Sequence, residues 1–185
     1  LTAHPGQERY PTIDPTGALV AFVGAYDGRD EVYVMPLTGG LPTRVTYGAD
    51  RPEVVGWSPD GDVLMTSRHR STLPSWQLFT LDPETGNETV LPLAQASDGV
   101  FGEEGELFFV RFPFQGSHTK RYQGGTARSI WRFGPGDDEA QPLTTDHAGE
   151  DIAPMFARGR VYFASERDGT MNLWSMDRRG GDLKQ

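Results

Sequence analysis

Two stretches of the chain, residues 68–75 and 112–128, carry several basic and aromatic side chains and no acidic residue. A positive patch on an acidic molecule attracts the carboxylate or acidic side chains of a peptide, or a neighbouring subunit. The length of the second stretch favours a functional role, because long insertions in compact repeats are usually functional. The alternative is that these cations are solvated or pair with acids elsewhere. The candidate peptide-binding or partner-binding residues are Arg68, His69, Arg70, Lys120, Arg121, Tyr122 and Arg128.

Two histidines in these stretches, His69 and His118, raise the question of a shared metal ion. Neither stretch contains Asp or Glu, and the chain has no Cys. The surrounding arginines and lysine would repel a cation, and carboxylate or thiolate ligands are missing. The turn Asp60-Gly61-Asp62 lacks the twelve-residue calcium-loop pattern and is typical of a tight hairpin. We therefore expect no metal and no cofactor.

Nucleophilic catalysis has no recognisable residue set in this sequence. A thiol nucleophile is excluded because there is no Cys, and no Gly-x-Ser-x-Gly motif is present. The four histidines, at positions 4, 69, 118 and 147, are spread along the chain without an evident serine and acid beside them. The glycine pairs at 39–40, 124–125 and 180–181 do not precede helices, so they are not phosphate-binding loops. We expect no catalytic residue in this chain.

Composition and charge exclude further classes of protein. The 185 residues include 17 basic and 26 acidic side chains, which gives a net charge of −9. This makes a nucleic-acid-binding module or an anionic-membrane anchor improbable, and no apolar run reaches about eighteen residues, the length needed to cross a bilayer. The 23 glycines and 14 prolines argue against long helices.

An internal repeat indicates which elements position these loops. Turn glycines recur at positions 17, 61, 105 and 159, and a β-rich run follows each one. These runs predict the second strand of each repeat over residues 18–23, 63–67, 107–110 and 161–164, and the third strand over 32–35, 77–81, 130–133 and 173–176. Fourth, shorter strands are predicted over 43–46 and 88–91. The two basic stretches then connect the second and third strands of their repeats.

Four short strands per repeat, without a helical period, are typical of a propeller blade. We therefore predict an all-β chain, a β-propeller with about four four-stranded blades, spanning approximately 10–50, 51–95, 96–148 and 149–185. A solenoid is the competing architecture. A closed propeller usually has more than four blades, so we expect this chain to be part of something longer, with uncovered apolar faces on its end sheets.

Two segments carry a family resemblance. The segment Tyr122-Gln123-Gly124-Gly125-Thr126 within residues 120–131, together with residues 160–177, resembles the N-terminal propeller of the tricorn protease family. The repeat turns themselves resemble those of TolB-like propellers. The tricorn resemblance implies a six-bladed propeller at the start of a large cytoplasmic serine peptidase that degrades peptides downstream of the proteasome.

The same resemblance implies a homohexamer, in which the remaining domains of the parent peptidase carry the Ser and His of catalysis. The propeller itself would gate or dock peptides or partner proteins. The alternative is a stand-alone TolB-like propeller that acts as a protein-binding or peptide-binding module. A peptidase parent requires several hundred further residues, whereas a stand-alone binder closes its ring with far fewer.

Overall fold

The computed structural model describes residues 2–72, 75–114 and 122–185, which form antiparallel β-sheets. The first sheet consists of β1 (Glu8–Ile13), β2 (Leu19–Gly24), β3 (Glu31–Pro36) and β4 (Thr43–Arg44). The second consists of β5 (Glu53–Trp57), β6 (Val63–Ser67), β7 (Gln77–Leu81) and β8 (Glu88–Val90). The third consists of β9 (Asp98–Phe101), β10 (Leu107–Val110), β11 (Ile130–Phe133) and β12 (Gln141–Pro142). The fourth consists of β13 (Asp151–Ala157), β14 (Arg160–Ser165) and β15 (Asn172–Asp177).

The strands of each sheet lie side by side in chain order, and every neighbouring pair is antiparallel. Such meanders are the blades of a β-propeller, so the predicted all-β propeller class is confirmed. The fourth sheet differs from the other three in its last element. There the backbone of Lys184 bridges Ser175 of β15, where a fourth strand was expected. None of the described residues forms a helix long and apolar enough to span a bilayer.

The outer strand of the first sheet ends earlier than the sequence predicts. We expected residues 43–46, whereas β4 stops at Arg44. The Thr46 hydroxyl accepts the backbone N–H of Val32 at 2.8 Å, so a side chain replaces the backbone carbonyl that would continue the ladder. Thr144 accepts the N–H of Ile130 in the same way at 2.9 Å. In two repeats, a threonine two residues after the outer strand therefore ends the backbone pairing of that strand.

The recurring turn glycines lie in the left-handed region of backbone space. Their φ values are 75° at Gly17, 93° at Gly61, 78° at Gly105 and 72° at Gly159, a conformation that residues with a Cβ rarely adopt. In the first of these turns Asp14 accepts the backbone N–H of Leu19 at 2.6 Å. The acids of such turns thus satisfy backbone donors of the hairpin.

The chain divides into two compact units, Leu1–Ala94 and Gln95–Gln185. In the first unit, the core lies between the first two sheets. Trp57 is part of this cluster, and its indole N–H donates to the carbonyl of Thr12 on β1 at 3.2 Å. The other members are Ala21, Val23, Val32, Val34, Val45, Val54, Val63, Met65, Phe79 and Leu81.

In the second unit, the core lies between the third and fourth sheets, with Trp174 packed against it. Its buried members are Phe108, Val110, Ile130, Val161, Phe163 and Met176. The opposite face of the fourth sheet is partly open: on it, Met155 is 48% and Leu173 56% exposed. Two large apolar side chains of the fourth sheet are therefore exposed.

Candidate functional site

The first basic stretch forms the connection between β6 and β7, and its cations are paired with acids from other segments. Arg68 contacts Asp50 at 3.1 Å, and Arg70 contacts Glu88 at 3.0 Å. Asp50 precedes β5, whereas Glu88 is the first residue of β8. The cations of this loop are therefore partly neutralised, although Arg70 keeps 55% of its side chain exposed.

His69 joins the same acid from the other side. Its Nε2 lies 2.9 Å from Glu88 Oε2, and its Nδ1 lies 2.9 Å from Ser67 Oγ. The imidazole also stacks on Phe79, with ring centroids 5.0 Å apart. A serine, a histidine and an acid thus form one hydrogen-bonded chain, which the sequence did not reveal because Glu88 lies on another strand.

This chain has the residue types of a hydrolytic triad but not the access. Ser67 is fully buried, and its hydroxyl donates to the carbonyl of Asp50 at 2.9 Å. A nucleophilic serine needs a free hydroxyl facing substrate, with the histidine as its proton acceptor. Here the hydroxyl is engaged with the backbone, so the arrangement holds the loop and supplies no nucleophile.

The second basic stretch lies between β10 and β11, and part of it, including His118, Lys120 and Arg121, lies outside the described residues. The described remainder is held at both ends. The Tyr122 hydroxyl accepts a hydrogen bond from the Thr126 hydroxyl at 3.0 Å. This bond closes the Gly-Gly segment into a compact turn. Arg128 pairs with Glu150 through its Nε, and both side chains are largely buried.

Arg111 is a basic residue of this region that sequence reasoning missed. It directly follows β10, and its guanidinium lies over the Trp131 ring at 5.1 Å and over Phe112 at 5.6 Å. The Arg128 guanidinium similarly lies over Phe114 at 5.5 Å. Stacking on aromatic faces holds guanidinium groups in place while leaving edge donors available to an anion.

One acidic side chain of the first unit, that of Glu31, is buried and fully hydrogen-bonded. Glu31, 1% exposed, accepts hydrogen bonds from the Thr46 hydroxyl at 2.6 Å and the Gly48 backbone at 2.6 Å, and pairs with Arg44 at 2.9 Å. Burial alone would raise the pKa of Glu31, but these hydrogen bonds and the Arg44 charge together hold it below its ordinary value. The group anchors the chain that leaves β4.

No metal centre is formed by the parts of the chain that the structure describes: there, no three His, Asp or Glu side chains are grouped to hold an ion. A metal ion shared by His69 and His118, which the sequence disfavours, would involve a residue outside those parts, since His118 is not among the described residues.

Comparison with known proteins identifies the family. The model of the tricorn protease N-terminal beta propeller domain matches residues 1–185. The chain belongs to this family. Tricorn protease homolog 1 of Streptomyces coelicolor is 34% identical over 179 residues, which cover 95% of this chain and 17% of that protein. The tricorn protease of Thermoplasma acidophilum is 27% identical over 163 residues, covering 84% and 15% respectively. This tricorn-family domain therefore spans less than a fifth of the length of these relatives.

Solved structures support the fold of the tricorn-family domain. The crystal structure of the tricorn protease superposes with a TM-score of 0.81 at 23% identity, covering 99% of this chain and 19% of that one. TolB from Acinetobacter baumannii superposes with a TM-score of 0.70 at 19% identity, covering all of this chain and 46% of that one. The resemblance drawn from residues 120–131 and 160–177 is thereby confirmed at the level of the family.

Proposed function

We propose that this domain is part of the N-terminal propeller of a cytoplasmic tricorn-like serine peptidase that degrades peptides downstream of the proteasome. In this proposal the domain does not cleave peptides. It docks them, or partner proteins, and gates their passage, while the remaining domains of the parent chain supply the catalytic Ser and His. The parent assembles as a homohexamer.

The observation that carries the proposal is the match of the whole chain to the tricorn propeller model, together with relatives that are several times longer. The geometry supports the non-catalytic part of the proposal. Where the described residues bring a serine, a histidine and an acid together, the Ser67 hydroxyl is buried and donates to the backbone.

The residues proposed to contact peptide are those of the two basic loops. Arg70 is the most exposed of the described arginines, with 55% of its side chain accessible, against 30% for Arg68 and 18% for Arg128. Lys120 and Arg121 are the other two basic residues of the set, and His69 and Tyr122 are its ring-bearing members. Guanidinium and ammonium groups suit peptide carboxylates, so acidic or C-terminal groups are the expected ligands. The proposed set is Arg68, His69, Arg70, Lys120, Arg121, Tyr122 and Arg128.

A stand-alone TolB-like binding module remains the second candidate, because the TolB structure from Acinetobacter baumannii superposes on all of this chain. The two proposals differ in whether the parent hydrolyses peptides. A TolB-like binder would bind a partner without turnover.

The test uses the full-length protein that carries this domain. Fluorogenic peptides are offered, the protein is treated with a serine-reactive fluorophosphonate, and the labelled residue is located by peptide mass spectrometry. The proposal expects hydrolysis, inhibition, and a label outside residues 1–185. A label within those residues, or binding of peptides with no hydrolysis, would contradict it. Native mass spectrometry of the same sample should show six subunits.

A further inference from the structure

A cleft of about 630 Å³ opens in the unit Gln95–Gln185, and none of its lining residues belongs to the two basic loops. Three structural features border it: the turn between β9 and β10, the edge strand β12 and the turn that follows β15. Three of its lining residues are arginines, although the chain as a whole is strongly acidic. The lining comprises Glu104, Arg132, Gln141, Pro142, Leu143, Arg178 and Arg179.

The guanidinium of Arg178 is fixed by two carboxylates of unequal exposure. Its Nε pairs with Glu106, which is 1% exposed, and its Nη1 donates to Glu104 at 2.6 Å. The Glu104 side chain is 72% exposed. The hydrogen bonds that Arg178 donates to Glu104 and Glu106, with the charges of both acids, raise the pKa of Arg178 and keep it a permanent cation. Glu106 thus acts as a buried anchor, and Glu104 as a surface partner.

The other two arginines extend the positive wall of the cleft. Arg132 pairs with Asp137 through Nη1 at 3.0 Å. Arg179 is exposed and makes no ion pair among the residues described here, while its backbone N–H is held by Asp177 at 2.8 Å. A free guanidinium on a turn fixed by its own backbone is well placed to receive an anion.

We propose that this cleft binds a peptide segment by its carboxylate, and that Glu104 occupies the carboxylate position when no peptide is bound. A volume of this size is typical of sites for small ligands. Guanidinium groups bind carboxylates through paired hydrogen bonds. Pro142 and Leu143 offer an apolar surface to a neighbouring side chain, and Gln141 offers an amide to the peptide backbone.

The acids around the cleft favour a peptide over a more highly charged anion. Glu104 and Asp137 already neutralise part of the positive charge, so a dianion would meet carboxylates on two sides. A single carboxylate needs only to displace Glu104 from Arg178. That exchange is easy because exposed ion pairs contribute little to stability.

This inference rests on the proposed function only in taking the ligand to be a peptide. It concerns a site separate from the basic loops, and direct binding tests it without any requirement for hydrolysis. Failure of the cleft to bind would leave the hydrolysis result unaffected.

The experiment measures fluorescence anisotropy with the full-length protein after treatment with the fluorophosphonate. The probe is an N-terminally labelled Ala-Ala-Asp-Leu peptide, compared with its C-terminal amide and with an Asn version, so that terminal and side-chain carboxylates are distinguished. Arg179→Gln should weaken binding about fivefold or more, since an ionic hydrogen bond is lost. Glu104→Gln should strengthen it, because the competing charge is removed.

Two matched variants serve as controls. Glu103→Gln makes the same charge change at the neighbouring exposed residue, and Arg158→Gln removes an exposed arginine from another turn. Both should bind like the parent protein. An unchanged affinity in Arg179→Gln, or a weakened one in Glu104→Gln, would overturn the proposal. The proposal would also be overturned if inorganic phosphate displaced the probe while the C-terminal amide and the Asn version bound as tightly as the probe itself. Arg178 is not replaced, because its loss would leave the buried Glu106 carboxylate without its ion-pair partner.

Discussion

His69 Nε2 and Glu88 Oε2 lie 2.9 Å apart, and this contact ties the loop after β6 to the outermost strand of the same sheet. Arg70 meets the same carboxylate oxygen at 3.0 Å. The loop contains no acidic residue of its own, and Glu88 of β8 holds it in place. The basic side chains of this loop therefore stabilise the fold, in addition to any contact they make with a ligand.

We expect Glu88→Gln to lower the free energy of unfolding by about 0.5–2 kcal/mol, because a largely buried carboxylate then no longer pairs with His69 and Arg70. Chemical denaturation monitored by tryptophan fluorescence measures the change. Glu84→Gln, at an exposed turn residue, is the matched control and should have almost no effect. Equal stability of the two variants would show that the contact does not fasten the loop.

The buried acid Glu31 should make stability depend on pH. Its folded pKa lies below the ordinary value of 4.5, so its ionisation stabilises the folded state above that pH, and the contribution is lost as the pH falls through the folded pKa. Glu31→Gln should therefore cost about 3 kcal/mol near neutrality, where Arg44 loses its buried partner. The difference from the parent should shrink on acidification.

Denaturation of both proteins at about pH 7 and about pH 3 tests this sign. An exposed acid such as Glu84 again provides the control, since its replacement should give a small difference at both pH values. A difference between parent and Glu31→Gln that grows on acidification would contradict the assignment.

The strands were predictable because each repeat places apolar residues directly after a turn glycine. The strands Val63–Ser67 and Leu107–Val110 have the predicted limits, and the family followed from the segment Tyr122–Thr126. The ion pairs were not predictable in this way. Arg178 and Glu104 are 74 residues apart in the sequence, and only the packing of two sheets brings them together.

The acidic partners of the basic loops could not be identified from the sequence for the same reason. Asp50 precedes β5 and Glu88 begins β8, so a search within the loop finds no acid. Arg111 was missed because it follows β10 outside the chosen stretch. Charge patterns within one segment identify candidate cations, whereas their partners depend on the register of adjacent strands.

Trp57 should be a principal anchor of the first unit. Trp57→Ala is expected to cost about 3–5 kcal/mol, because a large side chain is removed from a closed cluster. Trp57→Phe keeps most of the packing and loses the hydrogen bond to Thr12, so about 1 kcal/mol is expected. Thermal or denaturant unfolding distinguishes the two.

The half-buried Trp131 offers the comparison. Its ring lies beneath the Arg111 guanidinium and is not part of the buried cluster of its unit. Trp131→Ala should cost less than Trp57→Ala. The reverse order would contradict the assignment of Trp57 as a principal anchor of its cluster.

The proposed peptide contacts can be separated from structural ones by charge reversal. Lys120→Glu with Arg121→Glu should raise KM for acidic or carboxylate-terminated peptides several-fold, or impair assembly, in the full-length protein. Arg128→Glu is a different case, because it places a second carboxylate beside Glu150 in a largely buried setting. It should lower stability by about 3 kcal/mol, as expected for a broken buried ion pair.

Steady-state kinetics, native mass spectrometry and denaturation together separate these effects. Arg158→Glu, an exposed arginine on a turn of the fourth sheet, is the matched control and should change none of the three. If the Lys120 and Arg121 double variant processes peptides and assembles normally, those two residues are not peptide or assembly contacts. If Arg128→Glu is as stable as the parent, its pairing with Glu150 contributes nothing, and its guanidinium is free to serve a ligand.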